Sequence, residues 1–268
     1  MNELFNFLFI DSYIPDEYVI SVPSFEWYIV NIVTFTIFIY LLLLVYSNKN
    51  TKFFFNTFTK LLGFILFSRI IGEHLYFFLL GKWTIVKNLP LQLCSFSSWI
   101  SAFMILTINN KKISDKTRNV LFDFLFFWGC SGYYSFISPK FPTGGGFYRY
   151  IDYFVSHGSF LFAIIYMIIF FNFKPSRFSW IKIFLYSQII VLIVHLINLK
   201  IGSNYIYTIG FIGGDPDNII AKIVSDYNLP HFLTIDIFAL IHFYIFYIIF
   251  RIINAFIINE KFSKKIFI

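Results

Sequence analysis

Seven apolar runs of about 20 residues, each long enough to cross a hydrocarbon core of about 30 Å as a helix, constrain this chain more than any motif does. They lie at Trp27–Tyr46, Leu61–Leu80, Leu89–Ile108, Asn119–Ser138, Tyr150–Asn172, Ser179–Leu199 and Pro230–Ile253. Their length and continuity predict an all-α polytopic membrane bundle of seven transmembrane helices. A single integral membrane domain over 1–268 is expected, with an acidic outer segment 1–26, the seven-helix bundle 27–258 and a basic tail 259–268.

Hydrophobic residues make up 58% of the chain and charged residues 13%, which excludes a water-soluble core and leaves the loop charges to report topology. Lys and Arg are retained on the cytoplasmic side. The first, third and fifth loops and the tail carry Lys49, Lys52, Lys60, Lys111, Lys112, Lys116, Arg118, Lys174, Arg177, Lys182, Arg251, Lys261, Lys264 and Lys265. The opposite side has only Lys82, Lys87, Lys140, Arg149, Lys200 and Lys222. This bias predicts an outside amino terminus, a cytoplasmic carboxyl terminus and a multi-pass protein of the cell (plasma) membrane. Met1–Glu26 holds five acidic residues and no Lys or Arg, so it lacks the basic n-region of a cleaved signal peptide and is expected to stay on the protein. The net charge of +7 is spread over short loops, so nucleic acid is not an expected partner. Membrane lipids are.

Cys94 and Cys130 both fall inside apolar runs, and no CxxC pair or zinc-like Cys/His spacing exists. No metal and no cofactor is expected; a disulfide between the two thiols and burial of both as packing groups stay open. Gly213-Gly214-Asp215-Pro216-Asp217 reads as a turn, with a cation held by the two carboxylates as the rival. Gly144-Gly145-Gly146 reads as a flexible joint.

Polar residues within the runs collect towards the outer ends. Gln92 and Cys94 open the third run, and Glu73 and His74 lie in the outer half of the second. His157 lies two turns inside the fifth, His195 and Asn198 close the sixth, and His231 and Asp236 open the seventh. An ionisable group in a span costs about 2.5 to 3.5 kcal/mol, so several at one depth predict a shared outward-facing pocket. Arg69 and Glu73 stand four apart, the spacing of an ion pair on one helix face. Cys94, in a first helical turn, feels the positive end of the helix dipole and could form a nucleophile pair with a histidine. Equally, Cys94, Ser98 and Ser101 form a small-residue stripe that lets another helix approach. His157 is open to the same two readings, while His242 and Cys130 read as packing.

The ordered set Leu89-Pro90-Leu91-Gln92-Leu93-Cys94, Phe127-Trp128-Gly129 with Ser138-Pro139, Ser156-His157-Gly158 and Asn204-Tyr205-Ile206-Tyr207 resembles the YwaF-type integral membrane proteins of bacteria. These are distantly similar to a eukaryotic transmembrane acyltransferase family acting on ether phospholipids. That pattern usually has His where this chain has Gln92, which leaves His157 as the main partner for Cys94. The resemblance implies a lipid acyltransferase with Cys94 as nucleophile and His157 as base. Gln92 and Asn204 would orient a carbonyl or headgroup, with Glu73, His74, Asn198, Tyr205, His231 and Asp236 completing a lipid or small-molecule pocket. A small-solute or vitamin transporter component without covalent chemistry is the alternative.

Overall fold

The computed structural model describes residues 20–139, 147–210, 226 and 230–257, and every element among them is helical. The Gly144–Gly146 joint, the Gly213–Asp217 turn, most of the acidic segment and the basic tail lie outside the described residues. In chain order the helices are α1 Phe25–Ser47, α2 Lys52–Leu79, α3 Ile85–Asn88, α4 Leu93–Leu106 and α5 Asp115–Gly129. After a 3-10 turn at Cys130–Tyr133 come α6 Tyr134–Ile137, α7 Phe147–Phe171 and α8 Ser179–Ile201; a second 3-10 turn at Tyr205–Tyr207 precedes α9 His231–Ile257.

Six of these stretches are long and apolar enough to cross a membrane: Phe25–Ser47, Lys52–Leu79, Asp115–Ile137, Tyr148–Phe171, Ser179–Ile201 and His231–Phe256. The third apolar run behaves differently from its expected helix over Leu89–Ile108. Pro90 disfavours helical backbone in the residue before it, and Leu89 is accordingly extended at φ −63, ψ 141. Only Leu93–Leu106 becomes helix, 14 residues or about 21 Å. The second run errs the other way, with its helix starting nine residues early, at Lys52 rather than Leu61. One polar residue of that added stretch, Thr59, is satisfied inside the protein: its Oγ1 donates to Phe55 O (2.8 Å) and accepts from the Tyr166 hydroxyl (2.6 Å).

Packing divides the chain into two compact units, Met1–Gly81 with Leu93–Lys174 and Lys82–Gln92 with Pro175–Ile268. In the first, α4 packs against α2, α5 and α7. Small residues make this approach close. Ser97, Ser98 and Ser101 are buried, and a Cβ added at Gly63 would meet the Leu106 side chain at 2.9 Å. Ser97 and Ser101 return their hydroxyls to backbone carbonyls of their own helix. The Asp115–Ile137 and α7 spans form the centre, 56% and 50% buried against 6% for α1. α1 begins at Ser24, whose side chain caps Trp27 N. It is tied down by Trp27 Nε1 donating to Phe136 O (2.7 Å) and by Tyr150 OH donating to Glu26 (2.7 Å).

In the second unit α8 packs on α9, with Trp180 edge-on to Tyr244 and His195 edge-on to Phe232. Gly202 ends α8 at φ +68, a left-handed cap that glycine adopts without strain. Apolar side chains on the outer faces of α1, α8 and α9, among them Ile32, Ile189 and Ile241, are more than half exposed. A hydrocarbon surrounding would cover them.

Candidate functional site

Four charged side chains meet between α2 and α7 in the first unit. Arg69 Nη1 lies 3.1 Å from Asp152 Oδ1 and 3.5 Å from Glu73 Oε2. Arg149 Nη1 lies 3.1 Å from Glu73 Oε1 and 3.5 Å from Asp152 Oδ2. Each guanidinium thus bridges both carboxylates, and the quartet is formally neutral. Arg69 also donates through Nη2 to Ser98 Oγ on α4 (3.3 Å), and Arg149 stacks over the Phe77 ring at 4.7 Å. The side chains of Arg69 and Asp152 are 11% and 6% exposed, so a lost partner would leave a buried charge uncompensated. The four-residue spacing on α2 foretold one edge of this quartet. Arg149 and Asp152 went unnoticed because they sit at the boundary of a predicted span, where Arg149 counts as a loop charge. Their spacing of three on the helix that carries His157 is the signal that would have found them.

Cys94 is the second residue of α4, and His157 lies on α7, two packed helices of this unit. Both are within electrostatic reach of Arg69 and Glu73. The imidazole is held on three sides: Nδ1–H donates to Tyr153 O (2.7 Å), and the ring lies against Tyr153 and Phe160 with centroids at 4.5 and 5.7 Å. With Nδ1 carrying the proton, Nε2 is the acceptor. His74 is half-buried beside Glu73 and within reach of its charge. Both cysteines are free thiols, Cys130 buried and Cys94 half-buried.

A second cluster lies in the other unit and is built on Asn198, which is fully buried. Its Oδ1 accepts from Ser203 Oγ (2.6 Å) and Tyr205 N (3.0 Å), and its Nδ2 donates to Tyr205 O (2.8 Å) and Thr208 Oγ1 (2.7 Å). All four valences of the carboxamide are used within the protein. Gln92 Oε1 accepts from Ile206 N (3.0 Å), and the Tyr205 hydroxyl accepts from Leu89 N and donates to Ile85 O, both at 2.8 Å. Burial raises the Tyr205 phenol above its ordinary pKa, so it stays protonated for both roles. These bonds pin the start of the Leu89–Cys94 motif to the Asn204–Tyr207 motif. They also hold Ile206 and Tyr207 at φ +55 and +56, a region a β-branched residue rarely enters. Asn204 spends its side chain on Gly210 O and Ile209 N. His231 Nε2–H meets Tyr207 O at 2.6 Å, and Gln188 Nε2 donates to Asp236 at 3.1 Å. A cleft of about 610 Å³ lies beside this network, lined by Val86, Lys87, Ser203, Asn204 and Ile209 with Gly202 and Gly210.

The polar residues singled out in the sequence therefore fall into two clusters, one in each compact unit. Among the described residues no group of His, Cys, Asp and Glu is arranged to hold a metal ion. Six apolar spanning helices and charges buried between them define a multi-pass helical membrane protein. The chain belongs to the TMEM164 family, whose profile matches residues 19–258. No curated protein and no solved structure matches it.

Proposed function

We propose that this protein is a lipid acyltransferase in which Cys94 is the nucleophile and His157 the base. The observation that supports the reading is that Cys94 and His157 stand on two helices packed against each other in one unit, α4 and α7, with His157 Nδ1 committed to Tyr153 O. The resemblance at Leu89–Cys94 and Ser156–Gly158 supports it. In this scheme His157 Nε2 takes the proton of Cys94 as Sγ attacks the ester carbonyl carbon of an acyl lipid. The carbon–oxygen bond breaks, the lysolipid oxygen leaves with the proton held by His157, and a thioester forms on Cys94. A hydroxyl of an acceptor lipid then attacks the thioester, giving its proton to His157, which returns it to the departing thiolate.

The same reading takes the chain as one membrane domain crossing the plasma membrane seven times, α4 being the short seventh span, with the amino terminus outside. Incubation of the purified protein with a phospholipid carrying a labelled acyl chain tests the chemistry. Label is expected on Cys94 by peptide mass spectrometry, absent in Cys94→Ala and slow to form in His157→Gln. Label that persists unchanged in Cys94→Ala removes the thiol from the mechanism. One observation favours a solute-binding component instead, the cleft of the second unit that Lys87, Ser203 and Asn204 help to line. Under that reading Cys94→Ser keeps full binding and transport.

A further inference from the structure

One face of α7 is turned to the start of α1. Tyr150, Tyr153, Phe154, His157 and Leu161 follow the three- and four-residue spacing that puts side chains on a single helix face. All of them except His157 pack into one cluster with Ile20 and Phe136, joined by Trp27 and Val30 of α1. Ile20 precedes α1 in the chain and is only 2% exposed. The imidazole rests on a member of that cluster, Tyr153, through both its ring and its Nδ1–H. At the next residue α1 meets α7 directly, since a Cβ on Gly158 would run into the Phe38 ring. His157 therefore sits on the side of α7 that residue 20 and α1 cover, while Arg149 and Asp152 stand on the flank that meets α2.

This cover is fastened at one end. Trp27 Nε1 and Asn31 Nδ2 both donate to Phe136 O, at 2.7 and 3.3 Å, and Glu26 accepts from the Tyr150 hydroxyl at 2.7 Å. All three bonds fall in the first two turns of α1. Among the six spanning stretches α1 is the least buried, at 6%. Release of these bonds and of Ile20 leaves it on the ring contacts of Phe35 and Phe38 with Phe136 and Phe162, and on the buried Val45 near its far end. An element with few buried contacts opens at a small fraction of the cost of global unfolding. We infer that residues 20–24 and the first turns of α1 form a strap that shuts the approach to His157 and swings aside to expose it. The strap itself requires no reaction; that its opening controls acyl transfer rests on the role proposed above for His157.

The test treats the full chain in nanodiscs with diethyl pyrocarbonate, which modifies an unprotonated imidazole nitrogen, and follows His157 and His231 by peptide mass spectrometry. His231, at the start of α9, is the reference for general loosening. The ratio of the His157 rate to the His231 rate is expected to rise about fivefold or more in Ile20→Ser, and likewise in Trp27→Phe, which loses the Nε1 donor and keeps a ring. An unchanged ratio in both folded variants overturns the strap. The converse variant joins Ile20→Cys to Phe154→Cys through a disulfide. The locked chain is expected to fall below the wild-type ratio and to lose about tenfold in the rate of Cys94 acylation, both recovering on reduction. Locked protein that acylates Cys94 at the full rate works beneath a closed strap, which overturns the proposal. Should Cys94 stay unlabelled in every variant while His157 responds as above, the acyltransferase reading falls and the strap stands.

Discussion

Arg69 shows how little a single charged residue means before its neighbours are known. Its bonds to Asp152, Glu73 and Ser98 join three helices, and the quartet's neutrality depends on every member. Arg69→Met should cost about 3 to 5 kcal/mol, because it leaves two carboxylates with one guanidinium in a buried setting. Arg69→Met with Asp152→Leu should recover much of that loss, since a neutral Arg149–Glu73 pair remains. Unfolding in mild detergent compares the two; equal loss in both would mean the ions contribute no coupled term. Asn198→Asp makes the companion case. It removes both N–H donors and sets a carboxylate against Tyr205 O, and about 2 kcal/mol or more should be lost from the second unit's melting transition. Asn198 was legible in the sequence as a polar residue near a span end, and a ligand contact was the expectation. Its four internal bonds could not be read there, because two of the groups it binds are backbone atoms that every residue carries.

At the scale of elements, close approach of backbones decides where the site residues stand. The 3-10 turn Cys130–Tyr133 sits against α7 so tightly that a Cβ on Gly132 would lie 2.3 Å from Phe160 and 3.1 Å from the backbone oxygen of His157. Gly132→Ala should therefore shift the turn or α7 at His157, lowering stability by about 1 to 3 kcal/mol and, under the acyltransferase proposal, the rate of transfer. Gly81→Ala meets nothing within 4 Å and bears only the strain of φ +65, about 1 kcal/mol, with transfer unchanged. Parallel thermal melts and activity assays separate these outcomes. The clamp between the Leu89–Cys94 and Asn204–Tyr207 motifs gives a third comparison. Tyr205→Phe strips the hydroxyl from Leu89 N and Ile85 O and should cost about 1 to 3 kcal/mol, exposing the 82–92 segment to faster hydrogen exchange.

For the whole molecule the sharpest prediction concerns sidedness. Under the topology proposed from the loop charges, which puts Lys111 in a cytoplasmic loop and Lys82 in an outer one, an impermeant maleimide added to intact cells should label Lys82→Cys and leave Lys111→Cys untouched until the membrane is opened. The opposite pattern would invert the topology and move the proposed pocket to the cytoplasmic face. The short α4 bears on the same question. Its 14 residues fall short of a hydrocarbon core, and the non-helical Leu89–Leu91 backbone that precedes it needs cover from protein rather than lipid.

The sequence alone determined that the chain is helical and embedded in a membrane, because apolar length and missing charge are properties of each segment by itself. It marked Cys94, His157 and the Arg69–Glu73 pair as unusual for the same reason: a polar group in hydrocarbon is costly wherever its partner lies. Only the tertiary structure decided the partners. Asp152 reaches Arg69 across 83 residues of chain, and Gln92 turns to the backbone of Ile206 rather than to a ligand. Such choices depend on which helices come within hydrogen-bonding distance, and that is a property of packing rather than of any one segment.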